Sequence, residues 1–131
     1  LKNVDYNVLD GIGVRGEYDL LISNILTEQA GDPEVFVNQY WKTNVDGSNP
    51  QNGSGYSNPE YDALSDQLAS EFDPAKRRDI IIKMEKIVQD DAATLIFGYP
   101  QTNMVSNKSV QNANIYPCDY YWVTKDITPA K

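Results

Sequence analysis

The residues able to do chemistry fall into a few clusters, and each is weighed by what its spacing permits. Asp90-Asp91 is a pair of carboxylates. Neighbours on a helix point about 100° apart, so the two cannot share a proton, and their expected role is to end a helix. Asp46, Ser48 and Asn52 supply oxygen ligands, but the spacing lacks the mid-loop glycine and the twelfth-position carboxylate of a calcium loop. Gly11-Ile12-Gly13-Val14-Arg15-Gly16 matches a dinucleotide fingerprint in letters. The strand-like Glu17-Tyr18-Asp19-Leu20-Leu21-Ile22 follows at once, where that fingerprint needs a helix, so a glycine-rich turn between strands is expected and the nucleotide reading is rejected. Tyr40-Trp41 and Tyr56 flank a loop rich in Gly, Asn and Ser. Aromatic rings beside flexible polar residues form a solute-binding platform by stacking and hydrogen bonding. The other reading of Trp41 is a staple from helix to core, and both stand.

Histidine is absent, which removes the commonest general base and metal ligand and every Ser-His or Cys-His nucleophile pair. Cys118 is the one cysteine, so an internal disulfide and a cysteine-rich zinc site are excluded. The net charge of −8 argues against nucleic acid, whose phosphates need a concentrated positive surface. Lys76, Arg77, Arg78, Lys83 and Lys86 form the one basic cluster and read as a solvated helix face. At 131 residues the chain is the size of one domain, and residues 1–131 are read as one. No apolar run approaches the roughly 18–20 residues of a membrane span, and Leu1-Lys2-Asn3 does not open a signal peptide. With no initiator Met, the chain is expected to be a processed product or an excised segment.

Three helix starts of one design must position these residues. Asp32-Pro33-Glu34, Asn58-Pro59-Glu60 and Asp73-Pro74 each combine a capping side chain with a proline whose missing N–H has no partner in the first turn. Glu34 and Glu60 also suit the positive end of the helix dipole. The third helix carries Ile80, Ile81, Met84, Ile87 and Val88 as an amphipathic stripe, and should be longest and packed on a sheet. Strands are expected at Val4 to Leu9, Tyr18 to Leu26, Thr94 to Tyr99, Met104 to Ser106, Asn112 to Tyr116 and Tyr120 to Thr124. Residues 45–56 read as a polar loop without core. The fold class is therefore α/β or α+β, a mixed sheet packed with about three helices.

The order Gly16-Glu-Tyr-Asp-Leu20, Gly31-Asp32-Pro33-Glu34 and Gly55-Tyr-Ser-Asn-Pro-Glu-Tyr-Asp62 resembles one family. Phe72-Asp73-Pro74-Ala75-Lys76-Arg77-Arg78, Asp90-Asp91-Ala92 and Ile115-Tyr-Pro-Cys-Asp-Tyr-Tyr-Trp122 continue the resemblance in order. It is similar to the C-terminal lobe of the family 5 extracellular solute-binding proteins that serve peptide, nickel and opine ABC importers. The resemblance covers nearly the whole chain. It implies one lobe of a two-lobed, periplasmic-binding-protein-like receptor, with the N-terminal lobe outside this chain.

Implied partners are a small-molecule or peptide solute and ABC permease subunits. The implied place is the bacterial periplasm or the outer face of the membrane as a lipoprotein. Carried over, the cleft residues are Asn24, Thr27, Glu28, Gln29, Tyr40, Trp41 and Val45, and Tyr56 joins them from the aromatic platform. Thr27, Glu28, Trp41 and Tyr56 are expected on one solvent-facing edge. No cofactor, catalytic residue or metal ligand is expected. The absence of histidine argues against direct nickel ligation, though not against a nickel chelate. Two rivals remain on the residues: a carboxylate-dependent glycan hydrolase using Glu28 and Asp32, and a carbohydrate-binding module using Tyr40, Trp41 and Tyr56.

Overall fold

The computed structural model describes residues 2–24, 32–99, 101, 103–116 and 123–130. They divide into two compact units, Leu1–Leu95 and Ile96–Lys131. The first unit contains helices α1 (Tyr6–Arg15), α2 (Pro33–Trp41), α3 (Pro59–Ser70) and α4 (Pro74–Asp90). The second contains β1 (Val110–Gln111) and β2 (Thr128–Pro129), paired antiparallel with Val110 opposite Pro129.

The three Asx-Pro starts form as expected. Asp32 Oδ1 accepts the Glu34 N–H at 2.9 Å. Asn58 Oδ1 accepts those of Glu60 and Tyr61 at 2.9 and 3.2 Å. Asp73 Oδ1 accepts those of Ala75 and Lys76, both at 3.0 Å. Each proline is the first helical residue. Helix α4, at 17 residues, is the longest.

The core lies where α2, α3 and α4 meet. Tyr61, Ser65 and Leu68 share one face of α3 at helical spacing, and Ile80, Met84 and Val88 do the same on α4. Val37 enters from α2, while Ile87 packs on the cluster from its margin. The stripe on α4 thus meets two helices rather than a sheet. Tyr61 is fully buried, and its hydroxyl donates to the Val37 carbonyl at 2.6 Å. The buried Ser65 hydroxyl reaches Asn38 Oδ1 at 2.8 Å. Both polar tips are therefore satisfied inside an apolar cluster.

The basic stretch departs from its expected solvated state at one residue. Arg77 Nη1 donates to the carbonyls of Leu68 and Glu71, at 2.8 and 2.7 Å, where α3 ends. Its Nη2 donates to Asp32 Oδ2 and Glu34 Oε2, at 2.7 and 2.8 Å, where α2 begins. One guanidinium thus ties the ends of three helices, and its side chain is only 17% exposed. Lys76, Arg78, Lys83 and Lys86 remain exposed.

The expected strands are corrected. Residues 6–9 belong to α1, not a strand. Asp5 caps this helix by accepting the Asn7 N–H at 3.0 Å. The supposed glycine turn is the body and end of α1: Gly16 adopts φ 65°, and Gly16 N and Glu17 N donate to the Gly13 and Ile12 carbonyls. Two interior glycines lower helix propensity, which hid the element. Tertiary contacts favour glycine at residue 13, since Leu21 lies on Gly13 and Gly53 approaches the Gly13 carbonyl.

Residues 18–24 form no strand, and Leu20 and Ile22 are exposed; Ile25 and Leu26 lie outside the described residues. Thr94 to Tyr99, Met104 to Ser106 and Asn112 to Tyr116 are likewise not strands. Leu95, Ile96, Phe97 and Tyr99 are exposed. Val123 and Thr124 are outside any strand, and residues 120–122 fall outside the described set. Among the described residues the expected mixed sheet is reduced to β1–β2. A strand persists only where a neighbour completes its backbone hydrogen bonds, and apolar alternation cannot report that neighbour.

Candidate functional site

The segment from Trp41 to Asn58 joins the end of α2 to the start of α3, and amide side chains hold it shut. Helix α2 leaves its last carbonyls without helical partners. Asn49 Nδ2 donates to the carbonyls of Asn38 and Lys42, at 2.9 and 2.7 Å. Asn52 Nδ2 donates to the carbonyls of Lys42 and Tyr56, at 2.9 and 2.8 Å. Asn52 is 3% exposed. The loop expected to lack a core therefore has a polar one of its own.

Its flanks are fixed to α3. Thr43 N–H and hydroxyl donate to the two oxygens of Asp62, at 2.9 and 2.5 Å. Lys42 Nζ meets Asp66 at 2.7 Å. At the tip, the Ser48 N–H donates to the Val45 carbonyl across Asp46 and Gly47, both with positive φ. Asp-Gly suits that mirror-image turn, which leaves Val45 60% exposed.

Trp41 ends α2, half-buried, with its ring edge-on to Phe36 at 5.0 Å. Tyr40 stacks obliquely on Phe36 and meets Trp41 edge-on. Trp41 and Tyr56 both pack against the three-helix core. Those contacts belong to the staple reading of Trp41, whose ring is nonetheless only partly buried. Tyr56 stands edge-on to Tyr61, and its hydroxyl donates to Asp91 Oδ2 at 2.6 Å. Asn24 is exposed in the chain after α1. Thr27, Glu28 and Gln29 lie outside the described residues.

Asp90 closes α4 and pairs with Lys86, whereas Asp91 is its cap and accepts from Tyr56 and Asn58. The carboxylates diverge, as adjacent helical residues must. Both Asp32 oxygens are engaged, one as the α2 cap and one with Arg77. Among the described residues, no three Asp, Glu, His or Cys side chains converge to hold a metal ion. A groove of about 600 Å³ between α3 and α4, lined by Leu64, Gln67, Lys83 and Ile87, contains none of the residues nominated from sequence. It is open to solvent, its charged rim of Glu60, Lys83, Lys86 and Asp90 includes the surface Lys86–Asp90 pair, and none of the proposed solute contacts lines it, so the loop carries the candidate site.

Sequence reasoning missed Asn49 and Asn52 as organisers of the loop. Their signal was the excess of short amide side chains after a helix end, which serve stray carbonyls.

Tyr56 and Asp91 predict a pH signature. Burial first, then the hydrogen bond and charge of Asp91, pushes the Tyr56 phenol up to about 12. Its stabilisation is present below the ordinary tyrosine value of about 10 and lost as pH rises toward the folded value. Asp91 is held below the usual carboxylate range by hydrogen bonds from Tyr56 and Asn58. Its stabilisation is present above about pH 4 and lost as pH falls through the depressed value. Tyr56→Phe should flatten both the alkaline and the acid loss in urea titrations compared across pH. Tyr61, shifted upward by burial first and then by the neighbouring Tyr56, still contributes an alkaline loss in the variant, so the acid limb is the cleaner reading. Unchanged slopes would remove the Tyr56–Asp91 bond as their cause.

The described residues thus define a mixed helix-and-strand protein segment, with the polar loop and its flanking aromatic rings in the helical unit. Over 110 residues, 84% of the chain, it is 32% identical to the probable D,D-dipeptide-binding periplasmic protein DdpA of Escherichia coli (strain K12). The matched region is 21% of that protein, so the chain spans about a fifth of the curated relative it matches. No family model matches the chain, and no solved structure matches it at a significant level.

Proposed function

We propose that this chain is part of the C-terminal lobe of a bacterial solute-binding protein, the receptor of an ABC importer for peptides or peptide-like solutes. The observation that carries this reading is the similarity to a periplasmic dipeptide-binding protein across most of the chain. Nickel-chelate solutes belong to the same proposal. The chain binds and does not catalyse. Solute is held between this lobe and an N-terminal lobe, and contacts to both stabilise the closed form that a membrane permease recognises. The receptor acts in the periplasm or as a lipoprotein on the extracellular face of the cell membrane.

The proposed contacts are Asn24, Thr27, Glu28, Gln29, Tyr40, Trp41, Val45 and Tyr56. Val45 at the turn tip and the aromatic end of α2 support the assignment because both belong to the segment that Asn49 and Asn52 hold rigid. The exposed Leu20, Ile22, Leu95, Ile96, Phe97 and Tyr99 support a larger protein that covers them, since monomers seldom leave so much apolar surface bare.

Calorimetric titration of the full-length receptor with D,D- and L,L-dipeptides tests the proposal. At least one should bind at micromolar affinity or tighter, without being hydrolysed. Free divalent nickel should not bind. Val45→Asp should weaken the bound dipeptide while changing stability by no more than about 0.5 kcal/mol, because the side chain is exposed. Binding of a nickel chelate but no dipeptide would reassign the solute. Binding of neither would overturn the receptor reading.

A further inference from the structure

Asn52 and Gly53 are fixed by different neighbours, and together they make a labile pair. A Cβ at residue 53 would run into the Gly13 carbonyl of α1, so packing demands glycine there. Asn52 is demanded by the loop. Besides its two donated bonds, its Oδ1 accepts the Ser54 hydroxyl at 2.9 Å and the Tyr56 N–H at 3.2 Å. Asparagine is a thermolabile residue, and a following glycine leaves the attacking backbone nitrogen unshielded.

We propose that Asn52 is a spontaneous deamidation site, gated by opening of the loop at residues 43–57, and that its conversion unlocks this loop irreversibly. The deprotonated Gly53 nitrogen attacks Asn52 Cγ, the Cγ–Nδ2 bond breaks, and the nitrogen leaves as ammonia after taking up a proton. The resulting succinimide adds one water at either ring carbonyl, giving a carboxylate in aspartyl or isoaspartyl linkage. Amide and water become carboxylate and ammonium, with no change of oxidation state.

In the folded loop, four hydrogen bonds hold both ends of the Asn52 carboxamide, so Cγ is not free to swing onto the Gly53 nitrogen. Opening releases it. The product cannot close the loop again, because a carboxylate accepts but does not donate. The Lys42 and Tyr56 carbonyls would then face a buried negative charge where each had a donor. The loop thus protects its own lock while shut and records each long opening chemically.

Full-length protein incubated at mildly alkaline pH, folded and in urea, tests the gate. Tandem mass spectrometry of the tryptic peptide spanning residues 43–76 locates the mass gain of an amide-to-acid conversion. Conversion at Asn52 is expected in urea and at least about tenfold more slowly in the folded protein. Equal rates would overturn the gate, and no conversion in urea would overturn the site. Asn52→Asp should be cut faster by protease within residues 43–57 and should melt earlier than wild type. Wild-type resistance and melting in that variant would overturn the irreversible unlocking. If the variant does not fold, folded wild-type protein aged until partly converted is treated with protease: converted chains should be cut first within residues 43–57, and equal cutting of converted and unconverted chains would overturn the irreversible unlocking.

Discussion

Tyr61→Ala is expected to lower the unfolding free energy by about 3–5 kcal/mol, the range for truncating a large buried aromatic residue. Tyr61 stands at the meeting of α2, α3 and α4 with no exposed surface. Its removal opens a cavity in the buried cluster to which Leu68 and Met84 belong and deprives Tyr56 of its edge-on partner. Tyr61→Phe separates packing from hydrogen bonding. It keeps the ring but removes the 2.6 Å bond to the Val37 carbonyl, and should cost about 1 kcal/mol. Urea titration of the full-length protein measures both, with the midpoint falling and the slope held constant. An alanine variant losing no more than the phenylalanine variant would mean that the three helices do not pack around this ring.

Arg77→Ala should lower the melting temperature by roughly 5–10 °C, far beyond an ordinary surface substitution. Its guanidinium makes four hydrogen bonds, to the carbonyls of Leu68 and Glu71 and to the carboxylates of Asp32 and Glu34. Removal takes the guanidinium donor from the Glu71 carbonyl, leaves the Leu68 carbonyl with only the Glu71 N–H, and leaves two carboxylates without their cation. Lysine has the charge without the planar fork, so Arg77→Lys should recover only part of the loss. Combining Arg77→Ala with Asp32→Asn should cost less than the sum of the single changes, because the residues share one bond. Strict additivity, or full rescue by lysine, would show that the fork does not join the helices.

The local features were legible because local rules dictate them. A cap side chain one residue before a proline satisfies or removes the first orphan N–H groups whatever the surroundings. All three such starts formed at Pro33, Pro59 and Pro74. The buried stripe on α4 was equally plain, because helical spacing places Ile80, Met84 and Val88 on one side. The order of short motifs pointed to solute-binding proteins, in keeping with the dipeptide-binding relative.

Tertiary structure alone decided the rest. Gly11 and Gly13 read as a turn until the fold laid Leu21 against Gly13 and brought Gly53 onto the Gly13 carbonyl, contacts that the missing side chains of Gly13 and Gly53 admit. Arg77 looked like its basic neighbours until the fold brought Asp32 and Glu34 to it from more than forty residues away. The apolar run at 94–99 resembled a strand, but hydrogen bonding to a neighbour makes a strand, and apolar composition carries no information about that neighbour. The polar loop was the reverse case. Its Asn and Gly residues announced a turn, while only the returning chain showed that the Asn52 carboxamide bridges Lys42 and Tyr56. A sequence determines which groups must find partners, and the fold determines which partner each one finds.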